Sequence, residues 1–328
     1  MHDFSNLLLR WSIGTQDTTS LSDYQKSKFL DFLWLAKLSI ISFQKYFPNA
    51  RFVILYNGDD IQELNSLLDS INISFTSPVD IIDQRQCVKD GTYTNPYHFY
   101  PMGVWWKWIP FRLDISKCEI AVDTDILCLY SPETWYKWIF DLDDEILIAP
   151  ERYEEVAINT TGDFCNHPLL SHQLPYNCGV VGEKPFCDYG KQFFEVTQSI
   201  DFGNTHNSLF ITEQGAINIW IRSMEMCGVK HNCLEIDKNT WVRDFLYFMS
   251  KNVNIETIHA VAWHKEIIKK LKNIFESRII NNKYEDQKDF MTAIIQESSV
   301  LDAISKFVLS RQLSNIKFGN EILIQKGN

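Results

Sequence analysis

Short apolar runs alternate with longer segments of helical spacing along this chain. Leu7 to Ile13 (LLLRWSI) reads as a buried strand, closed by the polar turn Gly14-Thr15-Gln16-Asp17. Tyr24 to Tyr46 repeats apolar residues at helical intervals and stops before Pro48. Arg51 to Tyr56 (RFVILY) is a second strand closed by Asn57-Gly58, Ile61 to Leu68 is helical, and Val79 to Ile82 is a short strand. A long polar and aromatic loop spans Gln84 to Tyr100, then a helix runs through Trp105-Trp106-Lys107-Trp108. Strands follow at Glu119 to Val122, Glu145 to Ala149 and Cys178 to Val181, with helices at Pro132 to Phe140 and Phe210 to Cys227. Ile255 to Trp263 is short and mixed. Strand–helix alternation of this kind predicts an α/β fold with a mostly parallel central sheet flanked by helices.

Composition narrows the function. At 328 residues, 45% hydrophobic and 22% charged, the chain is an ordinary globular protein of one or two domains, not a disordered or fibrous one. Its net charge of −11 argues against a nucleic-acid partner, because backbone phosphate is bound by clustered Lys and Arg. An anionic substrate therefore needs a few aimed cations or a metal. The longest apolar stretch, Phe29 to Phe43, carries Asp31, Lys37 and two Ser, so no transmembrane segment is expected. Met1 to Arg10 lacks a basic start and a small-residue cleavage site. Eight scattered Cys without a C-x-x-C then predict a cytoplasmic protein with reduced thiols. Cys227, His231 and Cys233 approach a zinc spacing, but without a fourth ligand they read better as thiols beside a loop histidine. Residues 265–328 carry a net charge of +3 and residues 1–264 one of −14. We expect a main α/β domain over 1–264 and a helical C-terminal extension over 265–328. That extension is either a packed cap or a surface for peripheral contact with a membrane or partner.

The sharpest chemical feature is Glu119 to Tyr130, EIAVDTDILCLY. Alternate side chains of an extended chain point the same way, so Asp123 and Asp125 are placed to share one hard cation. Asp141 and Asp143 have the same spacing, but they precede their strand and read as an exposed loop. Ligands of open parallel sheets collect beyond the C-terminal strand ends. Thr15 to Asp17, Asn57 to Asp60 and Asp123 to Asp125 all fall at such ends, which makes Thr15 and Asp123 candidate substrate contacts.

DTDILCLY, then NCGVVG at Asn177 to Gly182, EQGAIN at Glu213 to Asn218 and HAVAWHK at His259 to Lys265 resemble the GT-A glycosyltransferases. The similarity is greatest to glycosyltransferase family 8, whose stations D-x-D, N-S-G-V, D-Q-D-x-L-N and H-x-x-G-x-x-K occur in this order. The resemblance implies a GT-A fold and transfer of a sugar, with retention, from a nucleotide-diphospho-sugar (a UDP-sugar) to a glycan or other hydroxyl acceptor. It implies Mn²⁺ or Mg²⁺ held by Asp123, Asp125 and His259, with His264 a rival ligand. Lys265 is implied at the donor diphosphate, and Lys107 where the family often has a donor-facing Arg. Asn177 and Gly179 are implied to line the donor sugar, and Glu213 and Gln214 to lie beneath the reacting carbon. Departures are Cys178 for Ser, Glu213 and Gly215 for Asp, and Ala262 for Gly.

The residues also have plainer readings. Glu213 can be a helix N-terminal acid after Thr212, and Lys265 the start of an exposed helix. Trp105, Trp106, Tyr176 and Trp263 can be core or a stacking wall for an acceptor sugar. A sugar-nucleotide pyrophosphorylase would need a glycine-rich basic loop after the first strand, which Gly14 to Asp17 does not supply. A catalytically silent nucleotide-sugar or glycan-binding module would use the same ligands and is the second reading.

Overall fold

Burial on both faces explains the largely apolar runs at β1 (Leu7–Ile13) and β2 (Arg51–Tyr56). The computed structural model describes residues 2–14, 22–58, 60–89, 104–151, 161–170, 176–198, 209–241, 251, 253–260 and 264–297. Contacts divide the chain into two units, residues 1–126 with 132–236, and residues 127–131 with 237–328. The division at 236/237 falls earlier in the chain than the charge change after residue 264.

The first unit holds a seven-stranded sheet. Its strands are β1, β2, β3 (Val79–Asp83), β4 (Cys118–Val122), β6 (Ile146–Pro150), β7 (Tyr176–Glu183) and β8 (His231–Cys233), in the order β3-β2-β1-β4-β7-β6-β8. β1 pairs in parallel with β2 and β4, β2 with β3, and β6 with β8, while β7 runs antiparallel to both β4 and β6. Helices α1 (Asp23–Gln44), α2 (Ile61–Ser70), α3 (Gln84–Lys89), α4 (Glu133–Phe140), α5 (Gly190–Thr197) and α6 (Leu209–Met226) complete it. α1 starts at a Ser22–Gln25 capping box, and its Ser39 hydroxyl accepts from Trp11 Nε1 of β1 at 3.0 Å. A core of Trp108, Ile109, Phe111, Phe193, Ile217 and Trp220 lies between α6 and the β4–β7–β6 part of the sheet. Burying each large apolar side chain contributes about 1.5–3 kcal/mol.

Three differences from the sequence reading matter. α3 occupies the start of the expected loop, because Gln84 turns inward and donates to the Ile109 carbonyl at 2.5 Å and to that of Trp106. β7 is longer than Cys178 to Val181, since Tyr176 and Asn177 also pair with β6. The strands β8, β9 (Asn239–Trp241) and β5 (Ile126–Cys128) were not foreseen; at three residues each they carry no readable period.

The second unit contains a three-stranded sheet in the order β5-β10-β9, with β10 at Thr257–His259, and β5 enters this unit at Leu127. Helices α7 (His264–Lys270), α8 (Lys272–Ile279) and α9 (Gln287–Gln296) follow. Buried Arg278 of α8 donates to the Leu129 carbonyl at 2.6 Å and stacks on Tyr130, while the rings of Phe275 and Phe290 meet edge to face. The expected helical extension is helical as far as it is described; residues 298–328 lie outside the described residues. Among the described residues no helix is long and apolar enough to cross a membrane.

Arg10 is the one charge in β1. It pairs with Glu119 of β4 at 2.7 Å and donates to the carbonyls of Lys107 and Phe111. Arg112 lies 3.6 Å from Glu119 and 3.5 Å from Glu183, which faces Glu119 across the β4–β7 ladder. Burial pushes the Glu183 carboxyl up to about 8, against the pull of Arg112 and the Tyr189 N–H. Between its unfolded value of 4.5 and about 8, the folded chain therefore holds a proton there that the unfolded chain has released. This contribution to stability is present at the acid end and is lost as pH rises through that window. Glu183→Gln should remove the dependence: its melting temperature relative to wild type should be higher at pH 8.5 than at pH 5, read by thermal denaturation.

Candidate functional site

Because β1, β2, β3 and β4 run parallel, Gly14, Asn57 and Asp123 leave the sheet at one edge. The Asn57 N–H donates to the Ile13 carbonyl at 3.3 Å, which joins two of these ends directly. Thr15 lies outside the described residues. Asp123-Thr124-Asp125 forms the turn from β4 into β5, closed by an Ile126 N–H to Asp123 carbonyl bond of 3.2 Å. Asp123 N–H donates to the Gly179 carbonyl at 2.8 Å, tying the turn to β7. Asp125 is buried and Asp123 half-buried. Asp141 and Asp143 are exposed just beyond α4, as expected of a loop.

Lys107 organises the centre. It sits on a 3₁₀ helix, Val104–Trp108, whose carbonyls are held from below by Arg10 and Gln84. Its ammonium lies 2.8 Å from Asp123 Oδ1 and 3.1 Å from Glu213 Oε1, and donates to the Cys178 carbonyl at 2.9 Å. Burial opposes the Lys107 charge, but the carboxylates of Asp123 and Glu213 outweigh it, and its pKa stands well above the ordinary lysine value. Glu213, 1% exposed, also accepts from Trp108 Nε1 at 2.7 Å. Burial raises the Glu213 pKa, with Lys107 pulling the other way.

This corrects the plain reading of Glu213 as a first-turn acid. α6 begins at Leu209, and its first turn contains no acid. Glu213 is instead the buried counter-charge of Lys107. Cys178 is no nucleophile in waiting: burial, then Glu213, holds its thiol pKa well above the usual range.

Beside this charge cluster lies a second, amide-rich one. Asn177 Nδ2 donates to Glu151 Oε2 at 3.1 Å and to Gln214 Oε1 at 3.2 Å, while Gln214 Nε2 donates to the same Glu151 oxygen at 3.2 Å. Asn177 Oδ1 accepts from the Gly179 N–H at 2.7 Å, so Asn177 both shapes the β7 backbone and reaches the cluster. Glu151 was not foreseen. Its signal was available, since it is an acid directly after the apolar strand ILIAP, the placement that singled out Asp123. Gly215 is explained too: a Cβ there would lie 2.2 Å from the Thr161 carbonyl oxygen, so the carboxylate of the family pattern has no room. Gly162, at φ +57°, accepts the same close approach from Thr212.

The expected stacking wall is not formed by Trp106 and Tyr176, which are buried in the core. The side chain of Trp105 and all of Trp263 lie outside what is described. Among the described residues, Cys227, His231 and Cys233 are not gathered as a group of ligands. His231 instead bonds Tyr176 and Glu225. All eight cysteines are free thiols.

In the second unit, His259 ends β10 half-buried, its ring 5.3 Å from that of Trp241 on neighbouring β9. Lys265 lies half-buried in α7, and nothing is described of the His264 side chain.

No family model and no curated protein matches the chain. Among solved structures, the apo bifunctional glycosyltransferase WbbM superposes with a TM-score of 0.53 at 10% identity, over 88% of this chain and 51% of that one. This chain thus spans about half of WbbM. Galactosyltransferase LgtC, in complex with donor and acceptor sugar analogs, gives 0.48 at 11% identity over 81% and 95%. Mouse xyloside xylosyltransferase 1 gives 0.47 at 14% over 80% and 99%. The sheet order and the WbbM likeness define the class of architecture. The chain has the GT-A fold, that of nucleotide-diphospho-sugar transferases, with a helical C-terminal part.

Lys107→Met strands the buried Glu213 carboxylate and is expected to cost about 3–5 kcal/mol. Lys107→Met/Glu213→Gln should recover a measurable part of that loss. Urea unfolding of the four-member cycle checks both.

Proposed function

We propose that the chain is a metal-dependent glycosyltransferase of the family 8 type. It moves a sugar from a UDP-sugar to a glycan or other hydroxyl acceptor, with retention, in the cytoplasm. The observation that carries this reading is the Asp123-Thr124-Asp125 turn at the C-terminal edge of a GT-A sheet, locked to Lys107 and to the β7 backbone. The bifunctional glycosyltransferase WbbM shares this architecture. The catalytic domain is proposed over 1–264 and the extension over 265–328.

Asp123, Asp125 and His259 are the proposed ligands of Mn²⁺ or Mg²⁺. Two carboxylates and an imidazole suit a divalent ion. Asp123 Oδ1 is engaged by Lys107 at 2.8 Å, which holds the carboxylate at the turn. β5 starts one residue after Asp125 and lies beside β10, which ends at His259. A divalent ion bound there stabilises the negative charge that develops on the departing diphosphate. Lys265 assists at that diphosphate, and Thr15 contacts the donor nucleotide. Asn177 and Gly179 line the donor sugar, and Gln214 presents its amide to the reacting face. Lys107 contributes from behind Asp123, and Glu213 keeps Lys107 charged and aimed.

One observation favours the silent binding module. Glu213 is buried and its Oε1 is held by both Lys107 and Trp108, so this station carries the counter-charge of a lysine rather than an open acid. Turnover separates the readings. With Mn²⁺ and a panel of UDP-sugars, wild type is expected to release UDP. Asp123→Ala and Asp125→Ala should each lower the rate at least about 100-fold, Asp123→Ala with a lower melting temperature because it also strips a counter-charge from buried Lys107, and chelation should abolish the rate. Thermal stabilisation by UDP without release from any donor, with acceptors varied, would establish the silent module. Unchanged rates in both variants would remove the metal assignment.

A further inference from the structure

Among the described residues the sheet has a break in register beside the candidate site. Ile148 of β6 pairs with Val181 of β7, yet the next residue, Ala149, pairs with Asn177. Cys178, Gly179 and Val180 are therefore skipped by β6, although Val180 pairs with Val122 of β4. The skipped segment supplies the Cys178 carbonyl to Lys107 and the Gly179 carbonyl to Asp123. Such irregularities re-aim side chains, and they persist only where surrounding contacts fix them.

The contacts that fix this one converge on Tyr176, the first residue of β7. Asn218 of α6 brackets its backbone, accepting from Tyr176 N–H at 2.6 Å and donating to its carbonyl at 2.8 Å. The Tyr176 hydroxyl meets His231 Nε2 of β8 at 2.8 Å, and His231 Nδ1 lies 3.1 Å from Glu225 Oε1. A carboxylate only accepts, so Nδ1 carries the proton and Nε2 accepts from the phenol. Arg222 binds Glu225 at 3.0 Å and covers the Tyr176 ring at 4.5 Å. A histidine between two partners, on a three-residue edge strand, is more than packing of an aromatic ring requires.

We propose that the Glu225–His231–Tyr176 hydrogen-bonded chain is a positioning device. It pins the start of β7 across β6, holds the register break, and so sets the aim of Asn177 toward Gln214 and Glu151. These three are positioning residues, not catalytic ones, and their role in turnover rests on the transferase reading above. Loss of aim by a fraction of an ångström is enough to slow a reaction that depends on alignment.

Two readouts test it. Tyr176→Phe keeps the ring and removes the hydroxyl, His231→Leu removes the relay, and His231→Gln restores both hydrogen bonds through its amide. In donor hydrolysis, the first two are expected to lower kcat about tenfold. KM for the donor should stay within about twofold, and His231→Gln should recover most of the rate. Wild-type kcat in Tyr176→Phe and His231→Leu, or equal losses in all three variants, would overturn the proposal. The second readout needs no turnover: hydrogen exchange of the Gly179 amide, which Asn177 Oδ1 accepts. It should accelerate about tenfold in Tyr176→Phe and His231→Leu and return toward wild type in His231→Gln, with the Leu9 amide unchanged as control. Unchanged Gly179 exchange overturns the device whether or not the enzyme turns over. Accelerated exchange with an idle wild type sinks only the transferase reading.

Discussion

A buried ammonium is the constraint around which this site is arranged. Withdrawing a lysine charge from water costs several kcal/mol, and only opposite charge and full hydrogen bonding offset that cost. Lys107 obtains both from three directions, Asp123 on the strand-end turn, Glu213 on α6 and the Cys178 carbonyl on β7. Those elements lie far apart in sequence, and one point charge fixes their separations. The lysine is itself held from beneath, since Arg10 and Gln84 take up the carbonyls of its 3₁₀ helix. Removing any layer exposes the next to an unpaired charge or carbonyl. The Arg10 and Gln84 contacts to the 3₁₀ helix and the charges around Lys107 are thus parts of one arrangement.

The irregular start of β7 is the second consequence. β6 skips Cys178, Gly179 and Val180; the Gly179 carbonyl carries the β4 ladder on to Asp123, the Cys178 carbonyl meets Lys107, and the Asn177 side chain reaches the Glu151–Gln214 cluster. Departures from the family pattern follow the same local logic. Gly215 stands where a Thr161 carbonyl leaves no space for a side chain, and Cys178 is a buried neutral thiol within a charged neighbourhood. Neither position carries a reactive group.

Much of the fold was readable because burial on two faces leaves a plain trace. β1, β2, β4 and the long helices α1 and α6 appear as apolar runs or helical periods. Three-residue strands such as β5, β8 and β9 leave none, since no period fits into three positions. The same holds for chemistry. Asp123 and Asp125 could be picked out because acids directly after an apolar strand stand at a sheet edge. Glu151 carried that signal more weakly, without a second acid two residues on.

The order of residues by itself determined the α/β class, the strand-end acids and the four motif stations in their sequence. It did so because strand burial and strand ends are local properties, written within a few residues. Only the tertiary structure decided which charges meet. It gave Glu213 to Lys107 rather than to a helix terminus, moved Trp106 and Tyr176 into the core, and tied His231 to Tyr176 instead of to two cysteines. Pairing of that kind depends on distances between elements that sequence spacing does not encode, and in a low-dielectric interior those distances decide which polar groups are satisfied.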